Sequence, residues 1–335
     1  MTDATAPRSA PATYIVPHHP WRDLLTGPVA SIAFTVIAVV AVGLIWIGPR
    51  FLAFGNVGIM GAFLIVPLVV GACAGFALLS GVVDLSIGSM VGFSSALFAL
   101  LLTLAWNPWA AGAVTLAACL GFGAINAIAI VGFGAEAIAA TLGMLVALRG
   151  ITWVLLGPQG AIFSFNPGLS DLVNQTLFGL PLFFLVAIGL TVIAAIVGTK
   201  TRFGRHVQAV GGDDKAASRA GIPVKRIRVA ALLLSAFGAG LGGIVFTAQL
   251  GSAARATGFG LEFQVYAALM IGGYSILRGG VGNPIGGALG LLAVAGVSNI
   301  LDLKAVSPYY VNIIVGLLLL AAVLLDRMRG GDAYE

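Results

Sequence analysis

Charged residues are scarce in this chain. Only 9% of its 335 residues are Asp, Glu, Lys or Arg, whereas about a quarter of an average soluble domain is charged. Hydrophobic residues make up 59% of the chain, and the mean hydropathy is +1.07. A soluble fold cannot bury that much apolar surface, and disordered chains are poor in hydrophobic residues. The composition therefore predicts an all-α integral membrane protein with many helices.

Cysteine, histidine and lysine are also rare, and each shortage excludes a class of chemistry. Two cysteines, Cys73 and Cys119, cannot hold a disulfide scaffold together. The three histidines show no metal-ligand spacing. None of the four lysines lies in a G-x-x-x-x-G-K-[ST] phosphate-binding loop, and no nucleophile–base pair is evident. We expect neither an enzyme nor a chain that binds a cofactor or metal.

Long uncharged stretches divide the chain into membrane spans, because a bilayer core needs roughly 20 apolar residues per helix. The 51-residue uncharged stretch 85–135 must break, and Asn107-Pro108 is a helix-ending signal within it. We predict a polar tail at 1–27, a membrane domain at 28–326 and a second tail at 327–335. The ten predicted spans lie near 28–48, 59–79, 87–105, 109–131, 137–156, 178–198, 229–249, 262–277, 284–301 and 309–325.

The distribution of cations predicts the orientation of these spans. With ten spans both termini share one side, and 13 of the 17 basic residues fall on that side. Cytoplasmic loops carry an excess of Lys and Arg, so we expect cytoplasmic termini. The same rule accounts for the net charge of +5 without nucleic-acid binding. Residues 1–27 do not have the pattern of a cleaved signal peptide.

The segment 199–228 is the only long charged stretch and holds eight of the 17 basic residues. Asp213 or Asp214 can cap a short helix that runs to Arg219, and Gly221 with Pro223 can end it. So short a helix gains little stability alone, which predicts that it docks against a partner. The alternative is an ordinary basic loop.

A pattern in this segment resembles the coupling loop of ribose-type ABC importer permeases, which contacts the ATPase subunit. The matching or adjoining residues are Gly204, Arg205, Ala209, Gly211, Gly212, Asp213, Ala216, Ala217, Gly221 and Ile222. Segments 81–89 (GVVDLSIGS), 140–150 (ATLGMLVALRG) and 260–290 resemble further motifs of that family, in the same order. The sequence departs from the usual residues at Glu136, Ala137, Asp213, Ala220, Gln264 and Tyr274; Asp is usual at position 264.

The resemblance implies a type II importer-like permease in the cell (inner) membrane that carries a monosaccharide or a related small polar solute. It implies two permease copies, identical or paralogous, a separate cytoplasmic ATPase that is a fused double ATPase, and an extracytoplasmic solute-binding protein. ATP and Mg²⁺ would bind the ATPase. On this hypothesis the short helix moves as a lever when the ATPase closes, and the permease pair alternates between outward-facing and inward-facing states.

Polar residues within or beside spans are functional candidates because they are costly in a membrane. They are Asp84, Ser86, Asn126, Thr141, Arg149 and Glu262. For Asp84 we favour a helix-capping role over solute contact, and for Glu262, at the mouth of the eighth predicted span, a loop or interface role. Arg149 needs an acidic or carbonyl partner, or a water-filled cavity. Glycines spaced by four, such as Gly238 and Gly242, predict close helix packing rather than nucleotide binding.

Three other functions remain open. The chain could be a permease of the same broad family for branched-chain amino acids, nucleosides or an autoinducer. An ion-coupled secondary transporter would need carboxylates within the membrane, and only Asp84, Glu136 and Glu262 come near. A membrane-embedded enzyme lacks a catalytic signature.

Overall fold

The computed structural model describes residues 28–331, so the predicted tail at 1–27 and the last four residues lie outside the described part. The described chain is almost entirely helical. Its helices are α1 (Pro28–Ile47), α2 (Phe54–Leu79), α3 (Ile87–Thr103), α4 (Pro108–Ala127), α5 (Ala137–Leu156), α6 (Pro167–Asn174), α7 (Leu182–Lys200), α8 (Arg202–Gly212), α9 (Asp214–Arg219), α10 (Val224–Leu250), α11 (Leu261–Ile271), α12 (Pro284–Leu303) and α13 (Pro308–Gly331).

Short irregular elements join some of these helices. A 3₁₀ turn (Gly48–Leu52) follows α1, and a π turn (Ile128–Gly132) extends α4. Strand β1 (Ala161–Phe163) pairs antiparallel with β4 (Ser252–Ala254), and β2 (Thr176–Leu177) pairs antiparallel with β3 (Leu180–Pro181). The β2–β3 hairpin delays the start of α7 to Leu182, four residues after the predicted start of that span.

Seven segments within residues 28–331 are long and apolar enough to cross a membrane. They are Ile32–Leu52, Phe54–Leu79, Pro108–Gly132, Ala137–Leu156, Leu182–Lys200, Val224–Leu250 and Pro284–Leu303. Helices α3 and α11 are apolar but shorter. The all-helical membrane architecture agrees with the prediction, while the predicted count of ten spans is not confirmed.

Asparagine followed by proline starts two of the spans. The Asn107 side chain accepts a hydrogen bond from the Trp109 N–H at 2.9 Å, and Asn283 accepts one from Ile285 at 2.9 Å. In both helices proline occupies the first position, where its missing N–H leaves no helical hydrogen bond unmade. The predicted break at Asn107-Pro108 is therefore confirmed, with α3 ending at Thr103.

Helix α10 lies at the centre of the bundle and packs against α2, α3 and α4 through glycines. Gly238 lies against Cys73 of α2, and Gly240 lies against Cys119 of α4. A Cβ atom at Gly240 would lie 3.0 Å from the Cys119 Cβ. These contacts confirm the predicted role of the α10 glycines in close helix packing.

The chain between α10 and α12 does not form the span predicted at 262–277. Helix α11 ends at Ile271, and Gly272 and Gly273, the latter with φ of +89°, lead into a non-helical return. Eleven residues at about 1.5 Å per residue reach only part-way through a bilayer. The prediction was wrong because the apolar composition continues past the residue at which the glycine pair stops the helix.

Candidate functional site

The charged segment 199–228 folds into two helices, α8 and α9. The Asp213 carboxylate caps α9 by accepting hydrogen bonds from the N–H groups of Lys215 and Ala216, both at 2.9 Å. After α9 the chain turns at Gly221, whose φ of +80° favours glycine. The short helix and its Asp cap agree with the prediction. Helix α8, capped by Thr201, was not predicted.

Helix α8 is attached to the bundle through backbone contacts. Its Gly211 lies directly against the Leu79 carbonyl at the end of α2, and Gly279 lies against Gly211 from the other side. The Gly280 N–H donates to the same Leu79 carbonyl at 2.8 Å. Only glycines allow three backbone segments to approach so closely. A displacement of α8 must therefore move both α2 and the 272–283 return.

Helix α9 turns most of its surface outward. Ala217 is buried, whereas Lys215, Ala216, Ser218 and Arg219 are exposed. The Arg228 guanidinium of α10 forms an ion pair of 3.1 Å with Asp214, which ties α9 to the start of α10. The segment thus holds a short helix firmly while leaving its outer face free for a partner.

A cleft of about 1250 Å³ opens beside α9, between the start of α10 and the turn that joins α4 to α5. Its charged lining residues are Glu136, Asp214, Lys215, Arg219, Lys225, Arg226 and Arg228. Five of these are basic and two acidic, so the lining carries a net charge of +3. We call the end of the bundle that carries residues 199–228 the basic end.

Near the basic end a buried network surrounds Asp84, in the connection between α2 and α3. One carboxylate oxygen accepts hydrogen bonds from the N–H and hydroxyl of Ser86, at 3.1 and 2.6 Å. The other accepts from the Ser235 hydroxyl at 2.8 Å. The Tyr266 hydroxyl donates to the Asp84 backbone carbonyl at 2.9 Å. The network joins α3, α10 and α11, which supports the structural role favoured for Asp84.

Asn126 and Thr141 also make structural hydrogen bonds. The Asn126 amide donates to the Ser86 hydroxyl at 3.1 Å and so connects α4 to the Asp84 network. The Thr141 hydroxyl donates to the Ala137 carbonyl one turn earlier, at 2.8 Å. Ser235 and Tyr266 complete the network but were not predicted from the sequence. Each is a polar side chain within an apolar run, and that pattern could have marked them as candidates.

Arg149 and Glu262 both lie beside the turn that precedes α11. Arg149 is half-buried, donates to the Thr257 carbonyl at 3.4 Å, and places its guanidinium 5.1 Å from the centre of the Phe259 ring. Glu262 lies in the first turn of α11, at the predicted start of that segment, and is buried against Gly88 of α3. Glu262 Oε2 and Arg149 Nε have no hydrogen-bond partner within the described chain.

A cavity of about 440 Å³ lies in the half of the bundle remote from the basic end. It is lined by α2, the last turns of α10, the start of α11 and the end of α12. Its polar lining residues are Gln249, Gln264, Ser298, Asn299 and Asp302, and its aromatic ones are Phe63, Phe246 and Phe259. Of these residues only Gln264 was singled out in the sequence analysis. The others could not be grouped from the sequence because they come from separate elements. Residues 28–331 contain no group of His, Cys, Asp or Glu that could hold a metal ion.

Comparison with known proteins gives a family match over most of the chain. Residues 57–323 match the model of the family described as "Branched-chain amino acid transport system / permease component". The chain belongs to this family. The match runs from α2 to α13 and so includes the charged segment, the Asp84 network and the cavity. No solved structure shows a significant match to the chain.

Several relatives are permeases of sugar transport systems. The chain is 29% identical over 281 residues to the L-arabinose transport system permease protein AraH of Escherichia coli (strain K12), which covers 84% of this chain and 85% of the relative. It is 32% identical over 256 residues to the ribose import permease protein RbsC of the same strain, covering 75% and 79%. The permease family and the apolar helices together make this chain a multi-pass membrane protein, and its named relatives are transport subunits rather than enzymes.

Proposed function

We propose that this permease is the membrane-spanning subunit of an ATP-driven importer for a monosaccharide or a related neutral solute. It works in the cell (inner) membrane as one of a pair. A cytoplasmic ATPase, a fused double one, binds ATP and Mg²⁺, and an extracytoplasmic protein delivers the solute. The observation that carries the proposal is the construction of segment 199–228, which fixes α8 to the bundle and exposes α9.

The contacts of α8 support a mechanical role for this segment. A partner that pushes on α9 moves α8, because only Asp213 lies between the two helices. Helix α8 then presses on the Leu79 carbonyl and on Gly279 through Gly211, with no flexible side chain between. Packed backbone transmits a displacement better than side chains, which can change rotamer. The movement therefore reaches α2, whose first half lines the cavity, and the return that follows α11.

A sugar is the favoured solute for two reasons. The named relatives include permeases for L-arabinose, ribose and D-allose. The family description also names branched-chain amino acids, but a zwitterion needs fixed charges of both signs, and the described cavity lining includes no Lys or Arg. Nucleosides and an autoinducer sugar remain chemically compatible with the cavity.

The substitution Ala216→Asp tests the coupling role. Position 216 is exposed, and an acidic residue in the first turn of a helix is compatible with the helix dipole, so α9 should stay folded. We expect the variant to insert normally but to lose ATP-dependent uptake and co-purification with a nucleotide-hydrolysing subunit from native membranes. Ser218→Ala on the same helix is the matched control. Wild-type ATP-driven uptake by Ala216→Asp would contradict the coupling role.

Uptake energetics separate the importer from an ion-coupled transporter. We expect uptake to stop when ATP is depleted and to persist when the proton and sodium gradients are collapsed. Uptake that follows an ion gradient without ATP would instead favour a secondary transporter that uses a buried carboxylate such as Glu262.

A further inference from the structure

The backbone around the cavity departs from regular helix inside the bundle of apolar helices. Between α10 and α11 the chain passes Gly258 and Gly260, with φ of +72° and +76°, and Gly258 lies against the Gly88 carbonyl within the bundle. Irregular backbone inside a membrane is tolerated only where protein buries it or where it lines a water-filled space. Gly258 and Phe259 both line the cavity. The cavity is therefore expected to hold water.

Helix α2 presents a second irregularity on the same cavity. Pro67 lies inside the helix and has no N–H, so the Phe63 carbonyl loses its usual hydrogen-bond donor four residues later. Both residues line the cavity. An unpaired backbone carbonyl in a membrane-spanning helix needs another donor, which water or a solute hydroxyl can supply.

The side chains of the cavity divide into fixed and free polar groups. Asn299 exchanges two hydrogen bonds with Asn56, at 2.9 and 3.0 Å, and the Gln249 amide donates to the Ala62 carbonyl at 3.3 Å. The Gln264 side chain makes no hydrogen bond with another described residue and is partly exposed to the cavity. A free amide offers two donors and one acceptor to a hydroxylated ligand.

We propose that this cavity is a binding chamber for a neutral, polyhydroxylated solute of monosaccharide size, in which Gln264 hydrogen-bonds the solute. The inference deepens the proposed function and rests on it for the identity of the solute. The volume of about 440 Å³ falls in the range of small-molecule pockets, about 300 to 1000 Å³. Phe246 and Phe259 supply apolar faces for the C–H surfaces of a sugar ring.

Gln264 also sets the charge of the chamber. Its amide side chain is neutral. Asp302 is then the only ionisable residue among those lining the described cavity, and it is exposed at the outer end of α12. A chamber without a basic residue offers no partner for a carboxylate. It therefore selects sugars over amino acids.

Cysteine labelling tests the chamber without the ATPase or the solute-binding protein. The full chain, with Cys73 and Cys119 replaced by Ala, receives Ser298→Cys in the cavity and is placed in lipid nanodiscs. The probe is a sulfonated maleimide, which reacts only with thiols that water reaches. The control is Val192→Cys on the exposed apolar side of α7, where lipid should prevent the reaction.

We expect Ser298→Cys to react and Val192→Cys to remain unmodified. Ribose, L-arabinose or D-allose at high concentration should slow the Ser298→Cys reaction several-fold, while L-leucine should not. An unreactive Ser298→Cys would show that the cavity is dry and would overturn the proposal. Reaction that no sugar slows, or that leucine slows instead, would overturn it equally. None of these outcomes depends on ATP, so they leave the coupling proposal to its own test.

Variants at position 264 test the role of its amide. Gln264→Leu keeps the approximate volume and removes one neutral hydrogen bond, so the sugar concentration that halves the labelling rate should rise about fivefold. Gln264→Asn keeps the amide on a shorter side chain. The sugar concentration that halves its labelling rate should therefore lie between the values for Gln264→Leu and for the wild type. Equal protection in Gln264→Leu and wild type would show that Gln264 does not contact the solute.

Discussion

Ionisable side chains inside the bundle have two different kinds of surroundings. Asp84 is buried, yet each of its carboxylate oxygens accepts hydrogen bonds from serine groups on α3 or α10. Such a carboxylate replaces its lost hydration with donors fixed by the fold. Arg149 and Glu262 are compensated less completely, because each retains a buried polar atom without a protein hydrogen bond in the described chain. The two charges interact electrostatically, so each is expected to contribute to the stability of the other.

This dependence can be measured with a double-mutant cycle. Arg149→Met leaves the Glu262 charge without its nearby cation and also removes the contact with the Phe259 ring. Glu262→Gln leaves Arg149 without its nearby anion. We expect each single variant to lower the midpoint of thermal unfolding. The loss in free energy of unfolding in the double variant should be smaller than the sum of the two single losses by at least about 1 kcal/mol.

The cycle needs a control for local packing. Leu148→Met, on the same helix and buried, should be additive with Glu262→Gln. If the Arg149 and Glu262 changes are also additive, within roughly 0.5 kcal/mol, the two side chains do not interact.

At the scale of elements, two adjacent glycines at the end of α8 differ in their surroundings, since one packs against α2 and the other faces open space. A Cβ at Gly211 would collide with the Leu79 carbonyl, whereas a Cβ at Gly212 meets nothing within 4 Å. Gly211→Ala should cost about 1 to 3 kcal/mol or displace α8, and should reduce coupled uptake. Gly212→Ala should be neutral or stabilising by up to about 1 kcal/mol. Thermal unfolding and uptake of the two variants check this, and equal behaviour would show that α8 is not held at Gly211.

The Asp213 cap of α9 predicts that the stability of the first turn of this helix depends on pH. The N–H of Ala216, and with it that of Lys215, holds the pKa of Asp213 below its usual range. A lowered native pKa means that the cap is complete above about pH 4, the ordinary value for Asp, and is lost as the pH falls through the native pKa. Hydrogen exchange at Lys215 and Ala216, corrected for intrinsic rates, should therefore accelerate only under acidic conditions.

Asp213→Asn separates the charge of the cap from its geometry. Asparagine keeps an acceptor oxygen but does not ionise, so the acid-dependent acceleration should disappear in this variant. An unchanged acid response would place its origin in another group.

The sequence predicted the elements that local chemistry encodes. Asp213 as a cap, the break at Asn107-Pro108 and the packing role of the α10 glycines each follow from a few neighbouring residues. Helix α8 was missed because its sequence mixes charged residues with three glycines, and its stability comes from docking on Leu79. The cavity was missed because α2, α10, α11 and α12 build it together. Pro67 within an apolar run and the glycines at 258 and 260 were the available local signals.

At the scale of the whole molecule, the two ends of the bundle differ in charge. Eight of the 17 basic residues lie between Lys200 and Arg228, and the cleft at that end carries a net charge of +3. Membrane insertion places such loops in the cytoplasm. The cavity lies in the opposite half, where a solute delivered from outside would enter. The charge distribution and the cavity thus favour the same orientation.

Labelling in intact cells tests that orientation. Ser218→Cys lies on exposed α9 at the basic end, and Phe178→Cys lies at the opposite end on a side chain that is 84% exposed. In a background without Cys73 and Cys119, a membrane-impermeant maleimide should label position 178 in intact cells, and position 218 only after permeabilisation. Labelling of position 218 alone in intact cells would place α9 outside, where no ATPase could reach it, and would contradict the importer mechanism itself. The orientation is therefore the property of the whole molecule on which the coupling role of Gly211, Asp213 and Ala216 depends.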